Sequence, residues 1–204
     1  MIDLLKPIRS LFPSKHPWGK YLHLKNTDEV LVKKAGLVAG VFWAASLLDR
    51  YVVLAYVQMT DDGSELFRKR AEQVFFDLLD CYVFLSINTI SPLYLDEKQR
   101  TIFSNALLDA CVECTQLKGK DSGQVPIHSV FSTDVYTHKS NKYAPYKKLV
   151  NFTTETQEGT LMWEFGKSLN HVLGQPIQDD LVGGICHKIT HTLQVTRIDV
   201  LLKG

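Results

Sequence analysis

The sequence predicts an all-α fold: a single-domain bundle of five to seven helices around a buried central helix at about 28–59, preceded by an irregular basic N-terminal arm. Three observations carry that expectation. Apolar residues recur three and four apart through most of the chain, the period of a helix with one buried face. Residues able to cap a helix stand before these stretches, and glycine or proline follows several of them. The run 35–48 has no charge and is apolar almost all round, the mark of a helix enclosed by others.

Residues 1–26 form the arm and 27–204 the bundle. Pro7, Pro13 and Pro17 prevent a long helix in the arm. Leu4, Leu5, Ile8, Leu11 and Phe12 alternate with Lys6 and Arg9, a short amphipathic stretch. Asn26, Thr27 and Asp28 are N-cap candidates for the central helix. Gly36 and Gly40, with Ala35, Ala39 and Ala44, leave a face without bulk, which permits close helix approach. Asp49 and Arg50 interrupt the apolar run at what would be mid-bilayer. Each costs about 2.5–3.5 kcal/mol there, so burial in a bundle is the expectation rather than a membrane span.

Ser64 caps a second helix to about Asn88, with Phe67, Ala71, Val74, Leu78, Cys81 and Leu85 as its stripe. Ser91 and Pro92 interrupt, and Asp96 caps a third helix to about Leu117. Pro126 suits the first turn of a fourth helix, carrying Ile127, Phe131, Val135 and His138 on one face. A fifth helix is expected from Thr153 or Thr154 through Leu169, stopped by Gly174 and Pro176. From Asp179 onward the spacing of Leu181, Ile185, Ile189 and Leu193 favours helix. Residues 195–200 are rich in β-branched side chains and could be strand-like, but no partner strand is evident.

Composition bounds the function. With 45% hydrophobic and 22% charged residues, the chain can bury a core, which disfavours disorder. The net charge of +1 disfavours nucleic acid as a partner. It conceals an asymmetry: the arm holds five basic residues against Asp3, a charge of +4, and leaves −3 on the remainder. The start lacks a signal peptide's apolar core and cleavage site, so a cytoplasmic chain with reduced cysteines is expected.

Several constellations could carry chemistry. Cys111 and Cys114 have the spacing of a thiolate pair, but both fall on an apolar stripe, where cysteine packs as a small hydrophobe. His187 and His191 are one turn apart and could share a divalent metal, with His171 and Glu164 as further ligands. The zinc-protease glutamate is replaced by Lys188. In the segment 136–148, Lys139, Lys142, Lys147 and Lys148 are interleaved with Tyr143 and Tyr146, a combination suited to an anion.

The functional expectation is a non-enzymatic protein-interaction protein, an adaptor or regulator, that binds another protein or itself as a homo-oligomer, with no cofactor. Trp43 and Trp163 are its candidate anchors. The first alternative is a metal-dependent hydrolase built on His187, His191 and a carboxylate. The second is anion or peripheral membrane-surface binding through residues 1–26 and the lysines of 139–148.

Overall fold

The computed structural model describes residues 18–59, 61–118, 129–146, 149, 158–174, 176 and 179–203. Seven α-helices are present among them, and no strand. They are α1 (Asp28–Tyr56), α2 (Glu65–Leu85), α3 (Glu97–Lys118), α4 (Thr133–Tyr143), α5 (Leu161–Val172), α6 (Asp179–Thr196) and α7 (Ile198–Lys203). The all-α expectation is met, and residues 195–200 are helical on both sides of a break at Arg197. Residues 1–17 of the arm, with Lys147 and Lys148, lie outside the described residues, as does Pro126.

Local chemistry explains where the helices begin. The hydroxyls of Thr27, Ser64, Ser132 and Thr160 accept from the amides of Val30, Phe67, Val135 and Trp163. Asp96 and Gln99 cap α3 reciprocally: the Gln99 amide donates to Asp96 at 2.9 Å, and the Asp96 amide donates to Gln99 Oε1 at 3.2 Å. Beyond Leu85 the chain continues through a π-helical turn, Ser86–Ile90, and a 3-10 turn, Ser91–Leu93, that accommodates Pro92. Across this change of winding, Ser91 Oγ and Asn88 Nδ2 donate to the Ile87 and Phe84 carbonyls.

Helices α1 and α3 pack centrally, and α1 also lies on α2. The contact face of α1 is Leu31, Ala35, Val38, Ala39, Phe42 and Ala45, all buried. The alanines supply the close approach, whereas Gly36 faces outward with open space around it. Gly36 is thus removed from the small-residue face. A close approach that requires glycine joins α5 and α6: a Cβ on Gly166 of α5 would stand 2.5 Å from Val182 Cγ1 of α6.

Two helical starts also differ from expectation. Helix α4 begins at Thr133 and buries Tyr136 and Tyr143, seven apart, so Val135 and His138 face solvent. Helix α5 begins at Leu161, after the Thr160 cap, and buries Trp163 at 8% exposure. Trp43 is half-buried, edge-on to Phe75. Neither tryptophan is presented as a surface anchor.

The N-terminal side of the bundle is sewn to its end. Trp18 Nε1 donates to the Arg197 carbonyl at 2.9 Å and Asn26 Nδ2 to that of Leu202 at 2.8 Å. Lys34, fully buried, donates to the Leu201 carbonyl at 2.7 Å, to Asn26 Oδ1 at 2.8 Å and to the Leu24 carbonyl at 3.1 Å. Arg197 (φ 51°) adopts the left-handed conformation that ends α6 and lets α7 turn back onto this corner.

Two segments, Asp28–Tyr56 and Glu65–Leu93, are long and apolar enough by length and composition to cross a membrane. More than half of each is buried inside the bundle, the position of core helices.

Candidate functional site

Three of the buried ionic groups among the described residues differ in access. In the first, Asp49 of α1 accepts from the hydroxyl of Tyr82 (α2), from Thr192 Oγ1 (α6) at 2.7 Å and from Lys188 Nζ (α6) at 2.8 Å. Three donors from two other helices offset the loss of hydration of that carboxylate. Burial, then the Asp49 charge, push the Tyr82 hydroxyl well above its ordinary pKa, so it stays a donor. Its neighbour Arg50 donates to the Tyr51 hydroxyl at 3.1 Å and lies over that ring. The second group is the Lys34 corner.

The third group lines an open groove of about 530 Å3, in the size range of ligand pockets. One wall is the face of α2 that carries Lys69, Gln73, Phe76, Asp77 and Asp80 at three- and four-residue spacing. The other is the stretch 129–132 and α4, with Val135 and Lys139 one turn apart; Val172 of α5 also lines the groove. The 129–132 stretch is pinned from both sides. The Ser129 amide donates to Glu72 Oε1 at 2.7 Å and the Phe131 amide to Thr115 Oγ1 at 2.9 Å. Tyr143 anchors α4 in the core against Phe84 and Phe165, with ring centroids 5.9 and 4.2 Å away.

Lys139 donates to both carboxylates of α2, to Asp77 and, at 2.5 Å, to Asp80. Asp80 is 5% exposed, and burial pushes its carboxyl up to about 6 against the pull of Lys139. Burial works against the Lys139 ammonium, but the two carboxylates outweigh it and raise its pKa. The ammonium therefore stays charged, which removes it as a nucleophile. Two carboxylates share one ammonium, so the cluster has a formal charge of −1 when all three groups are ionised.

The residues singled out by sequence scatter. Lys139 is held by acids, Tyr143 is buried in the core, Tyr146 is half-buried, and Lys142 is exposed with its ammonium 5.4 Å from the Tyr143 ring. His187 and His191 are exposed on α6 while Lys188 between them turns inward to Asp49; His171 is exposed at the end of α5. Glu164 is buried and paired with Lys167 at 2.6 Å. Among the described residues no group of three or more His, Cys, Asp or Glu side chains is placed to hold a metal ion. Cys81, Cys111 and Cys186 are free thiols. Burial raises the thiol pKa of Cys81 and Cys111, and that of Cys186 to about 12, so these three remain neutral packing groups.

The groove itself escaped sequence reading. Its signal was present: Asp77 and Asp80, one turn apart, are the only acids between Glu72 and Glu97 apart from Asp96. Comparison with family models, curated proteins and solved structures finds no match for this chain.

Proposed function

We propose that this chain is a helical protein-interaction protein, an adaptor or regulator, and that its partner docks in the groove between α2 and α4. The observation that supports this reading is the pairing of exposed apolar and buried charged groups on one concave surface. Val130 and Val135 are 45% and 50% exposed, and they line the groove together with Phe76, Val172 and the Asp77–Lys139–Asp80 cluster. Aliphatic contact flanked by fixed charge is how an interface core gains both burial and register.

Affinity capture with paired baits tests the proposal. The Val130→Asp/Val135→Asp variant alters two exposed side chains, and its helical circular dichroism should match that of the original chain. Proteins captured by the original chain should be missing from the variant's eluate. An identical set on both baits would contradict groove docking.

A further inference from the structure

The groove's charge leads to the chemistry of its occupant. Burying a carboxylate is costly unless opposite charge and hydrogen bonds compensate it. Here two carboxylates project from one face of α2, and the cation that reaches both is Lys139. We propose that the groove takes the lysine or arginine side chain of a partner segment, whose cation joins Lys139 as a second positive partner of Asp77 and Asp80 while an adjacent aliphatic residue seats against Val130 and Val135. This rests on the groove being the docking surface proposed above.

The geometry supports a cation rather than an anion. The cluster is negative when ionised, its two carboxylates are 12% and 6% exposed, and the groove beside it is open. The charged and titratable groups acting on Asp80 are Lys139 and Tyr136 from α4, Asp77 and Cys81 from α2, and Cys111 from α3. Among these, Lys139 is the cation; the lining of the groove adds Glu72 and Lys69, the latter paired with Glu65 at 2.8 Å. The Asp80 carboxyl titrates at about 6, so near neutral pH it offers a charge that the fold only partly compensates. A ligand cation would favour the ionised form and expel the residual proton. Binding should therefore release protons near pH 6 and weaken as pH falls.

Random twelve-residue peptides displayed on phage serve as the probe, panned on the full chain at pH 7.5. Enriched peptides are then synthesised, each with a twin in which norleucine replaces the basic residue. The account expects Lys or Arg beside an aliphatic residue in the enriched set, and at least tenfold weaker binding by the norleucine twin. It expects a similar loss with Val135→Asp, at least tenfold weaker binding at pH 5.0 than at pH 7.5, and a flattened pH response in Asp80→Asn. Groove-dependent peptides that bind equally well without their cation would overturn this inference and leave groove docking standing. Peptides indifferent to Val135→Asp, or no enrichment at all, would overturn it, and paired capture would then decide groove docking separately.

Discussion

Lys34 and Lys139 are both drawn into the protein, and the surroundings that hold them are opposite. Lys34 is fully buried and meets two backbone carbonyls and one amide oxygen, all neutral; burial lowers its pKa. Lys139 keeps a quarter of its side chain exposed, meets two carboxylates, and has its pKa raised. The first arrangement uses a charge to join the segment before α1 to α7: the ammonium ties α1 to Leu24, Asn26 and Leu201. The second holds more negative than positive charge at the rim of a groove. A buried lysine among neutral acceptors is a structural staple, whereas one outnumbered by carboxylates in an open groove marks where a further cation fits.

The comparison can be broken at either end. Lys34→Ala removes three hydrogen bonds, leaves the buried Leu201 carbonyl without its donor and opens a cavity, for an expected loss of about 3–5 kcal/mol. Urea unfolding should show this loss at pH 7.5 and again at pH 5, because no carboxylate participates. A loss under about 1 kcal/mol would mean that the corner is held by apolar packing instead.

Lys139→Met leaves two carboxylates without their cation and should cost about 3 kcal/mol at pH 7.5. Unlike Lys34→Ala, it should recover much of that loss by pH 5. Burial raises the Asp80 pKa against the pull of Lys139, so without that cation the carboxyl rises further, and proton uptake as pH falls stabilises the folded variant more than the original chain. A deficit equal at both pH values would erase the distinction between the two lysines.

The smallest effect sharpens the contrast. Asp80→Asn removes the charge that burial opposes while keeping an oxygen near Lys139, so stability at pH 7.5 should change by less than about 1 kcal/mol. The part of the pH profile between the ordinary carboxylate range and about 6 should flatten. An unchanged profile would assign that titration to another group.

Much of the fold was legible because its signals are local. Thr27, Ser64 and Asp96 cap helices where the sequence places caps, and Phe67, Ala71, Val74, Leu78, Cys81 and Leu85 are all buried on one stripe. Helix α4 was misread because its start sets its rotation: beginning at Thr133, it turns Tyr136, Lys139 and Tyr143 inward and leaves His138 outside. The groove was less legible still. Lys139 meets carboxylates that lie 62 and 59 positions earlier, and no spacing rule connects residues so far apart. The same holds for Asp49, whose charge looked like a defect in an apolar helix until Tyr82, Lys188 and Thr192 surrounded it.

The central claim is that the groove holds an incompletely compensated buried carboxylate, and the most direct measurement is the titration of Asp80 itself. Side-chain carboxyl carbon shifts in the full chain, assigned with Asp80→Asn, give its midpoint by nuclear magnetic resonance. The account expects a midpoint near pH 6. A midpoint at or below about 4, the ordinary aspartate range, would show that Lys139 already compensates the cluster and would contradict the account.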